Sequence, residues 1–160
     1  MEDKMKALSW REPYGSMMLH GKIETRTWYT KVRGPILICC SQKGYSYVSI
    51  VSISGDFYLS KMKDILDPYR TGWPQTDGMA IGIGTLTDCH IMRREEEYLA
   101  YVRWHPELYS HVYEDVIPLP SPFKVKGQMG FFEVPDSVAG FNLLGWYEKM
   151  VATKNLQQLT

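Results

Sequence analysis

The sequence predicts an α+β domain that is mainly β, an open barrel or half-barrel with short flanking helices. Three observations point there: five or six β-rich runs are separated by Pro- and Gly-marked turns, the helical stretches between them are short, and the 160 residues suffice for one core. A single domain over residues 1–160 is expected, with its core in about 5–135 and a helical tail in 136–160.

Met5 to Trp10 reads as a first strand. Pro13, then YGSMMLH and Gly21, has the Pro-at-start, Gly-past-end asymmetry of a short helix. Ile23 to Tyr29 alternates and carries Thr, Trp and Tyr, which favour a strand. After the turn at Gly34-Pro35 the run ILICC is a short buried strand, and the two are expected to pair. Over YSYVSIVSI at 45–53 both periods fit, because Val48, Ile50, Val51 and Ile53 also form a helical stripe, and the segment is read as helix. Phe57, Leu59, Met62, Ile65 and Leu66 continue with helical spacing up to Pro68, and YRTGWPQTDG is a loop. Met79 to Ile91 is a long strand in which Gly82 and Gly84 mark a bulge or a close backbone approach. RREEEYLAYVRW follows as a helix with Tyr98, Leu99 and Val102 on one side, its Arg93 to Glu97 end being an exposed first turn. Then come a strand at Tyr109 to Val116, a Pro-rich crossing, a turn at Gly127 to Gly130, a strand at Phe131 to Val134, and a helical tail through Trp146.

Lys plus Arg and Asp plus Glu both number 18, so no global positive charge exists to coat a long phosphate backbone. Charge is uneven, however. Residues 1–43 carry eight cations against four anions, and the remainder carries ten against fourteen. Aromatic residues reach 13%, more than a core of this size requires, so some rings are free to stack on a ligand. In the basic part Trp10, Tyr14, Trp28 and Tyr29 interleave with Arg11, Arg26, Lys31 and Arg33, the composition a stacked base beside a phosphate needs. Buried rings under a solvated basic surface are the plainer alternative. The three cysteines, two of them adjacent, fit reduced thiols, and no signal peptide or membrane-length apolar run is present, so a cytoplasmic location is expected.

HGKIETRTW concentrates the candidate chemistry. On a strand Lys22, Glu24 and Arg26 share one face. Turned into a cavity, Glu24 can accept hydrogen bonds, Arg26 can hold a phosphate or carbonyl in a fixed fork, and Lys22 with a burial-lowered pKa can serve as base or nucleophile activator. An exposed strand face with alternating charge is the plain alternative.

The stretch ALSWREPYGSMMLHGKIETRTW resembles the opening of the ASCH domain family, whose members carry a Ser-x-Arg/Gln-Gln-Pro-Trp/Tyr segment, an amphipathic helix ending in Gly, and then G-x-K-x-x-E-x-R. SWREPY and GKIETR stand for the first and last of these. TKVRGPILICCSQK, MAIGIGTLTDC and EDVIPLPSPFKVKGQMGFFEV are similar to the family's later strands, so the resemblance spans most of residues 7 to 134. It implies a PUA-like open β-barrel and a cleft for RNA or a modified nucleoside or base, lined by Trp10, Arg11, Tyr14, Lys22, Glu24 and Arg26, with Lys126 in the nearby 126–130 turn, and without metal or cofactor. Aligned by Glu24 and Arg26, Lys22 falls one residue closer to the glutamate than in the family pattern. Aligned by Lys22, Thr25 completes the Lys-x-x-Thr of the small bacterial ASCH enzymes that resemble amidohydrolases of 4-acetylcytidine. Two functions follow: a binding module, or an enzyme in which Lys22, Thr25 and Glu24 are catalytic. A protein-interaction module is a third.

Other features carry plainer readings. Cys39 and Cys40 point to opposite faces of a strand, and no Cys completes a metal set with His105 and His111. Gly82-Ile83-Gly84 lacks the third glycine and the helix of a dinucleotide fingerprint. Asp88 is a turn-forming strand end or, in the hydrolase reading, a second carboxylate.

Overall fold

The computed structural model describes residues 3–159. Six strands form one mixed sheet that curls into a half-barrel: β1 (Lys4–Trp10), β2 (Glu24–Arg26), β3 (Gly34–Cys40), β4 (Met79–Ile91), β5 (Tyr109–Lys124) and β6 (Phe132–Pro135), in the order β2-β5-β4-β3-β1-β6. Four helices accompany them: α1 (Tyr14–Met18), α2 (Tyr47–Leu66), α3 (Glu97–Ala100) and α4 (Leu143–Gln158), with a 3₁₀ turn at Arg94–Glu96 before α3. The architecture is the α+β, mainly β half-barrel expected from the strand signals. Among the described residues no helix is long and apolar enough to cross a membrane.

The period-two pattern of β1 and β3 places a core on each side of the sheet. Leu8, Trp10, Ile36, Ile38 and Cys40 face one core with Met17 and Met18 of α1 and Ile50 and Met62 of α2. Met5, Ala7, Leu37 and Cys39 face the other, with Phe132, Val134, Leu143 and Tyr147. Burial on both faces explains the unbroken apolar run ILICC. The C-terminal helix is thereby part of a core, and it runs well past Trp146: the Tyr147 hydroxyl donates to the Asp115 carbonyl at 2.7 Å.

The expected pairing of β2 with β3 is wrong. β3 lies parallel to β1 and antiparallel to β4, whereas β2 pairs with Tyr109–His111 at the start of β5. A strand apolar on both sides belongs inside a sheet, and three residues bearing charge belong at its edge. The strand expected over Ile23–Tyr29 accordingly shrinks to Glu24–Arg26. Because β2 covers only the first residues of β5, the rest of that edge has no partner strand among the described residues, and Pro118, Pro120 and Pro122 fit within the strand instead of forming a crossing.

The segment 45–53 is helical, and α2 breaks at Gly55 (φ 79°) before continuing to Leu66. β4 has the predicted bounds, with register shifts at Ala80/Gly82 and Ile83/Thr85. A Cβ at Gly82 would lie 2.8 Å from Leu19 and 3.0 Å from the Ile117 carbonyl, so both a bulge and a close approach occur there. The helix expected over RREEEYLAYVRW is cut short, ending at Tyr101 in a left-handed conformation (φ 57°). Tyr98 and Leu99, expected on its apolar side, are exposed, as are Arg93, Arg94 and Glu95 of the first turn, while Glu96, Ala100 and Val102 are buried. Glu96 goes inward because it accepts from the Arg93 amide, the Ser110 hydroxyl and the His90 ring.

Candidate functional site

α1 ends in a turn at Gly21 (φ 84°), and the Ile23 amide then bonds the Leu99 carbonyl, which delivers Glu24 to the first position of β2. The side chains two apart then converge. Lys22 Nζ lies 3.1 Å from Glu24 Oε1 and donates to the Ile23 carbonyl at 2.8 Å. Arg26 Nε and Nη2 lie 3.0 and 2.9 Å from Glu24 Oε2, and Nη2 also donates to the Ser9 carbonyl at 2.9 Å. The Thr25 amide donates to Glu24 Oε1.

Burial sets the electrostatics. It pushes the Glu24 pKa up, but Lys22, Arg26 and the Thr25 amide outweigh it and hold the carboxyl below its ordinary value. Burial lowers the Lys22 pKa despite the attraction of Glu24, since the side chain is 0% exposed. Arg26 remains partly open to solvent and lies over the rings of Trp10 and Trp28, at 5.2 and 5.9 Å.

Glu24, Thr25 and Arg26 form one wall of a cavity of about 210 Å³, completed by Trp10, Arg11, Tyr14, Tyr45, Ile53, Val102 and Ser9. Tyr14 and Tyr45 meet edge to face at 5.7 Å. The Arg11 guanidinium lies 4.0 Å from the Tyr45 centroid and donates to the carbonyls of Lys43 and Gly44. The Tyr14 hydroxyl bonds Ser54, and burial pushes its pKa up to about 12, keeping the phenol neutral. Two cations, Arg11 and Arg26, and one carboxylate, Glu24, thus line a ring-walled hollow, with Lys22 paired to Glu24 from behind.

Of the residues expected here, Trp10, Arg11, Tyr14, Thr25, Glu24 and Arg26 line the cavity. Lys22 belongs to the same ion-pair cluster but lies out of solvent behind Glu24, its Nζ 5.4 Å from the Tyr14 centroid. Lys126 is exposed and lines neither this cavity nor the one beside its loop. Asp88 is exposed near the C-terminal end of β4, where it bonds His90 Nδ1 at 2.7 Å, and does not line the cavity. Tyr45, Ile53 and Val102 were not expected at the site: Ile53 and Val102 are marked in the sequence only as apolar helix positions, and nothing local marks Tyr45. Beneath the wall, Tyr113 packs edge to face on Trp10 at 5.7 Å, and its buried hydroxyl finds no partner among the described residues. His111 Nε2 donates to the Trp28 carbonyl at 2.9 Å, and burial lowers its pKa, so the ring is a neutral support under Trp28.

Cys39 and Cys40 are buried free thiols on opposite faces, and among the described residues no three His, Cys, Asp or Glu side chains are grouped to hold a metal ion. No family model and no curated protein matches the chain.

Proposed function

We propose that this cavity binds a single nucleobase, presented by RNA or by a modified nucleoside, without turnover. One observation carries the reading: a hollow walled by Trp10, Tyr14 and Tyr45 holds, at one side, a buried carboxylate fixed by two cations. At about 210 Å³ it is smaller than the roughly 300–1,000 Å³ that drug-sized ligands occupy, which suits one ring system. Aromatic rings suit any base, Glu24 fixes Arg26 in the wall, and Arg11 and Arg26 attract an attached phosphate. This is the ligand class implied by the ASCH resemblance, and the half-barrel is compatible with the PUA-like fold that the resemblance also implies.

The hydrolytic alternative has its own support: Thr25 lines the cavity and Lys22 has a lowered pKa. A catalytic amine must reach the reacting atoms, however, and Lys22 Nζ is spent on Glu24 and the Ile23 carbonyl. Binding is therefore preferred. A nucleoside library passed over the protein, with mass spectrometry of both retained and released species, tests the two together. Retained, chemically unchanged nucleosides support binding. Deacetylation of 4-acetylcytidine that disappears in Lys22→Met and Thr25→Val would replace it with the hydrolase reading.

A further inference from the structure

A second cavity, of about 360 Å³, adjoins the first. Ser9, near the C-terminal end of β1, lines both and is the residue the two chambers share. Their chemistry differs. The first has Arg11, Glu24 and Arg26 in its wall, whereas the second is bounded by Ser41, Gln42, Gly78, Gln128 and Met129 and has no charged side chain in its wall.

The junction itself is unsatisfied. The Ser9 Oγ is buried and has no hydrogen-bond partner among the described residues, while the carbonyl of the same residue anchors Arg26 Nη2 at 2.9 Å. One residue thus carries both a hydroxyl in want of a partner and the carbonyl that fixes a guanidinium. The loop passes Ser9 at Gly127, where a Cβ would lie 2.8 Å from Ser9 Oγ, so a larger residue would press on the residue the chambers share. Beyond it, Gln42 and Gln128 are exposed amides, each with donors and an acceptor, and Met129 is 98% exposed, an unbranched apolar side chain standing in water at the rim.

We infer that the occupant is a dinucleotide step of a single strand. One base fills the ring-lined chamber, the phosphodiester lies against Ser9 and Arg26, and the next nucleoside enters the uncharged chamber. The inference rests on the base-binding reading above. A phosphodiester has acceptor oxygens only, matching the free hydroxyl and the guanidinium at the junction. The second chamber offers neutral donors and acceptors with an apolar cover, which suits a base or a sugar edge and not another phosphate.

Titration of the full chain with the four ribonucleosides, their 3′-monophosphates and the sixteen ribodinucleoside monophosphates tests this. At least one dinucleotide is expected to bind tenfold or more tighter than its component nucleoside and its monophosphate. Gln128→Ala and Met129→Ala, both at exposed positions, are expected to cut that advantage below threefold and leave nucleoside affinity unchanged. Gly127→Val is expected to do the same by crowding Ser9. Dinucleotides no tighter than the 3′-monophosphates, or an advantage that survives all three substitutions, would overturn the inference while leaving base binding intact. Failure of the nucleosides and dinucleotides alike would overturn both. Deoxy counterparts that match the ribose series support the same step with DNA as its source.

Discussion

Two buried glutamates flank α1, and they use their charge in opposite ways. Glu12, just before the helix, accepts from the Ser16 amide at 2.6 Å, from the Ser16 hydroxyl and from the Thr76 hydroxyl at 3.0 Å. All are neutral donors, and they tie the β1–α1 corner to the loop before β4. Glu24, just after the helix, is held by two cations and lines a cavity that Glu12 does not reach. A carboxylate consumed by neutral donors is a fastener. One whose cationic partners outnumber it leaves positive charge over for a ligand. Burial alone does not separate the two, since both are almost fully covered.

The comparison breaks most visibly at Glu24. Glu24→Gln leaves Lys22 buried beside no carboxylate, and losing one partner of a buried pair costs about 3–5 kcal/mol. Denaturant unfolding is expected to show that loss, and nucleoside affinity is expected to fall about tenfold as Arg26 loses its anchor. The double variant Lys22→Met/Glu24→Gln is expected to recover most of the stability and none of the affinity. Equal instability of the single and double variants would mean that the ion pair is not what Glu24 contributes.

Glu12→Gln is the matching change at the fastener. An amide nitrogen then meets donors that expect oxygen, a mismatch of about 1–3 kcal/mol. Stability is expected to drop by that amount, while nucleoside affinity of the folded protein stays within twofold. A tenfold loss of affinity would place Glu12 among the ligand contacts and erase the distinction.

How much of this was legible in the sequence follows from how far each signal reaches. Lys22, Glu24 and Arg26 were readable because period two acts within five residues, and the helix before them is bracketed by Pro13 and Gly21. Long-range pairing was not. Ile23–Tyr29 and ILICC adjoin in sequence and invite a hairpin, but the two-sided burial that draws β3 between β1 and β4 is a property of the assembled sheet. The inward turn of Glu96 was hidden for the same reason, because its partners His90 and Ser110 lie on β4 and β5. Tyr45 escaped notice because its role depends on Arg11 and Tyr14, placed beside it only by the fold. Glu12 stood in a recognised motif, yet nothing nearby announced Thr76 as its partner.

Acidification sharpens the contrast. The Glu24 pKa is lower in the folded protein than its ordinary 4.5, so the stabilisation it brings is fully present above that pH and is lost as pH falls through the folded value. Glu24→Gln has no such group. The stability gap between wild type and Glu24→Gln is therefore expected to narrow below about pH 4.5 in unfolding curves taken at successive pH values. A gap independent of pH would show that the Glu24 pKa is the same in the folded and unfolded protein, so that its charge brings no stability.

The smallest effect is expected at Lys126, which like the buried Lys22 lines neither cavity but, unlike it, is exposed and outside the ion-pair cluster. Its side chain is exposed, so at about 0.15 M salt, where charges are screened over roughly 8 Å, its ammonium acts on a bound phosphate only weakly. Arg26 is fixed by Glu24 and by the Ser9 carbonyl and lies in the cavity wall, where screening counts for less. Lys126→Ala is therefore expected to change nucleotide affinity by less than twofold, and Arg26→Ala by about tenfold, in parallel titrations. The ratio between them is expected to widen as salt rises, because only the exposed charge is screened away. A Lys126→Ala loss as large as that of Arg26→Ala would mean that the 125–131 loop closes over the ligand and brings its lysine to the phosphate.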